Sequence, residues 1–387
     1  MAKTIKAIHL FSNWKWTGPA EPALYSAISL KKEGHEIYFA CGNGAGKQGL
    51  SHFFYEEAQR RGLSLFNDMI LNKHISFKKN FKDILTLKNF LKERDIDIIH
   101  CHLTNDNIIG GIAAKIVNKK IKLVRSIYDQ NFPVNGLRNR LLALYITDGF
   151  ITYTQKTFNN INSFRKSPQF TWKLDGAVNT ERFNPDKKLN APDKRQEFGI
   201  RQNDFLVGIV ARVQPQRRFD IFLEGIKRAY NNLPSLRVFI IGEGSKINQV
   251  AVNPIKKMGL EKVFRFTKIQ RGDHYLALLK ALDVKVLIRP GSDETCRAVR
   301  EAMAMGVPVI ASNFGILPET VDNKINGIII NDSPEKLAEA ILFLAKNREI
   351  KEKLGINANK KAREKFSLEK HGKKLGEIYR QVLNPVI

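Results

Sequence analysis

Short apolar runs rich in β-branched residues recur along the whole chain, each followed by a helical pattern. The first half carries IKAIHLF, HEIYFAC, IDIIHCH, IKLVRSI and GFITYT; the second carries FLVGIVAR, RVFIIGEG, VKVLIRP, GVPVIAS and INGIIIN. Strands alternating with helices form βαβ units. Runs that are apolar throughout belong to parallel sheets covered by helices on both faces. The rhythm therefore predicts a doubly wound α/β fold, and 387 residues are more than one core accommodates.

A break is expected at NPDKKLNAPDKRQEFGI, residues 184–200, where Pro185, Pro192 and clustered charges interrupt the strands. The expected division is residues 1–185, residues 186–365, and a C-terminal helix in 366–387 that packs back on the first domain.

The formal net charge is +26, which favours partners bearing phosphate: nucleic acid, membranes or small ligands. Residues 1–190 hold 29 basic against 16 acidic side chains and the remainder 35 against 22, so each part carries +13 and neither has a basic tail. Charge interleaved with core residues points to anionic ligands or a membrane surface rather than a nucleic-acid arm. Cys41, Cys101 and Cys296 form no CxxC pair, as expected in a reducing cytosol. No 18-residue apolar run occurs, so any membrane contact is expected to be peripheral. Residues 74–94, HISFKKNFKDILTLKNFLKER, suit a helix lying on an anionic bilayer; the favoured reading is an ordinary amphipathic helix, whose spacing lets Phe81, Leu85 and Leu91 all be core.

Ligands of open parallel sheets sit beyond the carboxyl ends of the strands. Arg212 ends one strand, and VQPQRRFD adds Arg217 and Arg218 before a helix. Guanidiniums beside a helix N-terminus make a diphosphate site, although a solvated basic turn has the same sequence. Gly244, in GEG, and Gly18, in WKWTGPAE, permit close backbone approach; neither belongs to a GxGxxG fingerprint. In GSDETCRAVREAMAMG, residues 291–306, a helix is predicted from Thr295 to Met305 with Asp293 and Glu294 as capping residues. Glu301 lies deeper, among Ala298, Ala302 and Ala304, where a buried carboxylate needs partners such as a ribose diol.

The spacing from Asp293 to Glu301 resembles the E-x7-E motif of family 4 retaining glycosyltransferases. VARVQPQRRFD is similar to that family's strand and Arg/Pro-x-Lys-Gly loop, and LRVFIIGEG to its next strand and glycine turn. GVPVIASNFGILPETV, NGIIIND, DIDIIHCH and LDGAVNTERFNP extend the resemblance over nearly the whole chain.

The resemblance implies the GT-B fold: two Rossmann-like domains facing each other across a cleft. It implies that Glu301 binds ribose hydroxyls, Asp293 sugar hydroxyls, and Arg212 and Arg217 the diphosphate of a nucleotide sugar. The turn of Glu294, Thr295, Cys296 and Arg297 would face diphosphate and sugar, with Gly18 and Gly244 nearby. His102, counted with Arg212, Arg217 and Asp293 as catalytic, would line the cleft near donor sugar and acceptor, with Tyr128 and Asp129 on the acceptor side. Asp293, Arg217, Arg218, Tyr128 and Lys268 stand where the family usually has Glu, Lys, Gly, His and Gly. DID at 95–97 leads into a strand, so neither metal nor cofactor is expected. The activity implied is metal-independent retaining transfer to a glycan or lipid-linked acceptor in bacterial lipopolysaccharide or surface-polysaccharide synthesis, in the cytoplasm or at the inner membrane face. A nucleotide-sugar 2-epimerase is the alternative, and a basic nucleic-acid-binding protein a distant one.

Overall fold

The structure, a computed structural model, describes residues 3–42, 54–117, 120–129, 145–164, 171–291 and 296–384. It contains two compact units. One gathers Met1–Ala177 with Leu368–Ile387; the other gathers Val178–Gly291 with Cys296–Ser367.

The first unit is built on β1 (Lys6–Phe11), β2 (Glu36–Cys41), β3 (Ser64–Leu65), β4 (Ile98–Cys101), β5 (Lys122–Ile127), β6 (Gly149–Thr152) and β7 (Thr171–Lys173). They form one sheet in the order β3-β2-β1-β4-β5-β6-β7. All its pairings are parallel, with Ile8 opposite both Tyr38 and Ile99. The second unit holds β8 (Phe205–Val210), β9 (Leu236–Ile241), β10 (Phe264–Phe266), β11 (Val284–Leu287), β12 (Val309–Ser312) and β13 (Gly327–Ile330), in the order β10-β9-β8-β11-β12-β13. These too are parallel throughout. β4, β6, β11 and β12 are buried at every position, as continuous apolar runs require of central parallel strands.

Both sheets have the doubly wound order in which the chain reverses beside the first strand. Crevices then open where the loops after β1 and β4, and after β8 and β11, diverge. Gly18, His102, Arg212, Arg217 and Cys296 sit on these loops, Glu301 lies in the helix that follows the last of them, Gly244 follows β9, and Tyr128 and Asp129 follow β5.

The first unit ends at Ala177, ahead of the expected break at 185. β7 closes the first sheet, and Val178 already belongs to the second unit, donating its N–H to the Phe366 carbonyl at 2.8 Å beside a parallel bridge to Ser367. The proline-rich stretch 184–200 falls inside the second unit, where Asp193 caps the helix Lys194–Glu197. The helix Leu368–Leu383 buries Leu375, Ile378, Tyr379 and Val382 in the first unit.

The helix Phe77–Glu93 departs from the core assignment of its apolar residues. Leu91 is buried with Ile84, Leu87 and Phe90, but Phe81 and Leu85 face solvent. Two polar anchors set this rotation. The Asp83 carboxylate accepts the N–H groups of Ile70 and Leu71 at 2.6 and 2.9 Å, and Asn80 exchanges amide hydrogen bonds with Asn105. Among the described residues no helix is long and apolar enough to cross a membrane.

Candidate functional site

In the second unit the carboxyl end of β8 lies against the glycine turn that follows β9. Ala211 and Val213 donate their N–H groups to the Ile241 and Glu243 carbonyls at 3.2 and 3.0 Å. A Cβ on Gly242 would stand 2.1 Å from the Ala211 oxygen, and one on Gly244 2.1 Å from the Val213 oxygen. No side chain fits such distances, so the two glycines let the loops meet and present Arg212, which is exposed.

Beyond Arg212 the residues Pro215–Arg217 form a 3-10 turn, and Arg218 starts the helix Phe219–Asn232 with φ of 56°. This is the position where the resembling family has glycine, and the left-handed backbone explains that preference. Arg218 keeps the conformation at a cost of about 1 kcal/mol. Its guanidinium forks onto the Asp220 carboxylate at 2.8 to 3.0 Å, so its charge is already paired within the protein. Lys268 repeats the pattern, with φ of 57° at another glycine position of the family. Arg217 instead reaches across, donating to the Arg289 carbonyl just past β11 at 3.3 Å. The Arg289 side chain pairs with Asp332 and lies 3.8 Å from the centre of the Phe314 ring.

The helix Arg297–Ala304 follows β11. Cys296 precedes it in the left-handed region, its thiol buried. Asp293, Glu294 and Thr295 lie outside the described residues. Glu301 is buried, as its small neighbours suggested, and both carboxylate oxygens have protein partners. The Tyr275 hydroxyl donates to Oε2 at 2.6 Å, and Nε of Arg297 stands 3.3 Å from Oε1. Burial, then the adjacent Glu301 charge, holds the Tyr275 hydroxyl well above its usual range, so it remains a donor. Beneath them Lys285 is fully buried in β11, its ammonium bonded to the Ala298 carbonyl; burial brings its pKa down to about 8 against the opposing pull of Glu301. A carboxylate oxygen has two lone pairs, so Glu301 can still accept a hydroxyl at each oxygen while its partners fix its direction.

In the first unit, the loop after β1 is tied to the start of the helix Thr104–Val117. Asp106 accepts the Ser12 N–H at 2.9 Å and the Leu103 N–H at 2.8 Å, while burial pushes its carboxyl up to about 7. Gly18 is exposed on the same loop. His102 is buried and committed at both nitrogens: Nδ1 is 2.8 Å from the Tyr128 hydroxyl and Nε2 3.0 Å from Nδ1 of His9. The chain of bonds continues through the Tyr379 hydroxyl, 3.2 Å from His9 Nε2 and 2.7 Å from His100 Nδ1, to Ser126 at 2.9 Å and Tyr153 at 3.3 Å. A neutral imidazole donates once and accepts once, so every ring here is satisfied if the bonds all run in one direction. The ligand atoms of His9, His100 and His102 lie within 4.8 Å of one another, close enough for a metal, but each already holds a hydrogen bond. Tyr128 is buried within this network, and the next residue, Asp129, is exposed.

Sequence reasoning missed Tyr275, Lys285, Arg289, His9 and Tyr379, and placed His100 at a strand end without giving it a role. His9 had a legible signal, since it pairs directly with His100 across β1 and β4 and His102 follows two residues on, on the same face. Tyr379 had none, because its contacts depend on the return of the C-terminal helix.

Residues 190–361 match the family model "Glycosyl transferases group 1", and residues 23–172 match "Glycosyltransferase Family 4". The UDP-Gal:alpha-D-GlcNAc-diphosphoundecaprenol alpha-1,3-galactosyltransferase of Escherichia coli is 27% identical over 281 residues, 67% of this chain and 69% of that protein. Among solved structures, Anabaena HepE in complex with UDP has a TM-score of 0.79 at 18% identity, covering 97% of this chain and 100% of its own. A glycosyltransferase from Rickettsia africae has a TM-score of 0.80 at 17% identity, covering 99% and 100%. These matches are to transferases and do not favour the 2-epimerase alternative. Two parallel Rossmann-like sheets, a glycine-seated arginine loop, a buried helical glutamate and both family models agree: the chain belongs to the family 4 glycosyltransferases, GT-B enzymes that use nucleotide sugars.

Proposed function

We propose that this enzyme is a retaining, metal-independent transferase that moves a sugar from a nucleotide diphosphate to a glycan or lipid-linked acceptor. Its setting would be lipopolysaccharide or surface-polysaccharide synthesis at the inner face of the cytoplasmic membrane. The observation that carries the donor site is Glu301, a buried carboxylate aimed by Tyr275 and Arg297. A buried charge with free lone pairs calls for further donors, and the two hydroxyls of a ribose supply them.

Cleavage of the glycosyl phosphate bond leaves negative charge on the departing diphosphate. Arg212, Arg217 and the N–H groups of Thr295, Cys296 and Arg297 are assigned to that charge, each preorganised donor lowering the barrier by about 3 kcal/mol by analogy with oxyanion holes. Gly244 brings the backbone close to the phosphates, and Asp293 and Glu294 are assigned to the sugar end. Gly18, His102, Tyr128 and Asp129 are assigned to the first unit's share of the site, His102 and Tyr128 acting through the buried network. The acceptor hydroxyl attacks the anomeric carbon on the face the diphosphate leaves, and a phosphate oxygen takes its proton. The E. coli relative, named for a UDP-Gal donor and a diphosphoundecaprenol-linked acceptor, supports a lipid-linked acceptor here.

Thermal shift with UDP, GDP, ADP and dTDP sugars tests the donor site. A true donor at a hundred times its dissociation constant adds about 2.7 kcal/mol of stability. UDP sugars come first, because HepE was solved with UDP. Glu301→Ala should abolish the shift; a shift of full size in that variant removes Glu301 from the site. Turnover unchanged by EDTA, and a product with the donor's anomeric configuration, are the outcomes expected of a metal-independent retaining enzyme. The opposite results overturn those two assignments.

A further inference from the structure

We propose that the solvent face of the helix Phe77–Glu93 docks the first unit on an anionic lipid bilayer. The helix carries apolar side chains on both its faces. Its inward face buries Asn80 and Asp83 beside Ile84, Leu87, Phe90 and Leu91. Its outward face exposes Phe77 at 90%, Phe81 at 63% and Leu85 at 40%, and Ile75 just before it is 43% exposed. Phe77, Phe81 and Leu85 recur every four residues, a stripe about 12 Å long at 1.5 Å per residue.

The charges around this stripe are of one sign. Lys78, Lys82 and Lys92 are exposed on the same face, Lys88 is partly exposed, and Lys73 and Lys79 flank it. The helix holds two carboxylates: Asp83, which is fully buried and held by backbone N–H groups, and Glu93, exposed at the last position, two turns beyond Leu85. Phenylalanines projecting among lysines match an interfacial helix, with rings in the acyl boundary and ammonium groups at lipid phosphates. A second copy of the chain is disfavoured as occupant, because a two-fold contact through this face would bring lysines against lysines.

The choice of a bilayer rests on the membrane setting proposed above. Vesicle binding needs no donor, and stabilisation by a donor needs no vesicle, so the two readings fail separately.

The test is co-sedimentation of the full chain with vesicles of phosphatidylcholine alone and with roughly one third phosphatidylglycerol. Binding to the anionic vesicles only is expected. Lys78→Gln with Lys82→Gln should weaken it about thirtyfold, taking the typical contribution of a lysine near an anionic surface for each. Phe77→Ser with Phe81→Ser should weaken it roughly tenfold or more at unchanged charge. All four side chains are exposed, so thermal midpoint and donor-induced stabilisation should match the unaltered chain and report that the variants fold. No binding of the unaltered chain to anionic vesicles overturns the proposal. So does equal binding by the variants, or a solution dimer that Phe81→Ser abolishes.

Discussion

The Tyr275 hydroxyl donates a 2.6 Å hydrogen bond to Oε2 of Glu301, across 26 positions of sequence. With Arg297 at the other oxygen, the glutamate is aimed before any ligand arrives. A hydrogen bond to a charged acceptor is worth about 1.5 to 3 kcal/mol, and part of that is lost from donor binding when Glu301 is free to turn. Tyr275→Phe should therefore raise KM for the nucleotide sugar about tenfold while kcat changes little. A lowered thermal midpoint with KM unchanged would mean that Tyr275 only packs.

Arg212 is exposed at the end of β8, so its removal disturbs no core. Arg212→Ala should lower kcat/KM about a hundredfold, the loss typical of one donor to a developing negative charge. The thermal midpoint without ligand should stay within a degree or two, since exposed substitutions rarely matter to stability. Undiminished transfer would take Arg212 out of the diphosphate site.

Gly244 owes its place to geometry rather than flexibility, because any Cβ there would stand 2.1 Å from the Val213 oxygen. Gly244→Ala must push the turn after β9 away from the arginine loop. The expected cost is about 1 to 3 kcal/mol of stability, the range for forced overpacking, together with weaker donor binding. Calorimetry and donor titration of the same variant check both, and an unchanged midpoint would show that the loops separate freely.

The parallel architecture was legible because ten apolar runs became ten strands. β3, β7 and β10 were not legible: each is an edge strand of two or three residues, too short to show any pattern. Glu301 stood out as a carboxylate among alanines, whereas Tyr275 is one of several residues on an amphipathic helix, and only tertiary packing makes it a partner. Arg218 and Lys268 read as departures from family glycines; the structure adds that both retain the left-handed backbone that favours glycine. Phe81 and Leu85 had spacing compatible with a core, but buried Asn80 and Asp83 turned the helix the other way. That outcome is set by long-range hydrogen bonds, which periodicity does not contain.

The histidine network makes the first unit sensitive to acid. Burial holds His9 down to about 3, and burial first, then neighbouring histidines, hold His100 and His102 well below their usual value. All three are neutral when folded, but in the unfolded chain they take up protons below about pH 6.5. The unfolded state then binds more protons, so stability is complete above that pH and falls as pH decreases toward the folded values, by about 1.4 kcal/mol per pH unit for each ring. Asp106 works in the opposite sense. Burial raises its carboxyl to about 7, so it is protonated in the folded state while the unfolded carboxyl is ionised, and it offsets about one ring between roughly pH 4 and 7. The net slope expected below pH 6.5 is about 3 kcal/mol per unit. Urea unfolding of the first unit's transition at about pH 7.5 and about pH 5.5 should show that loss, and His9→Gln should flatten the slope by about one ring's share. Equal slopes in the two proteins would mean that His9 takes up a proton while still folded.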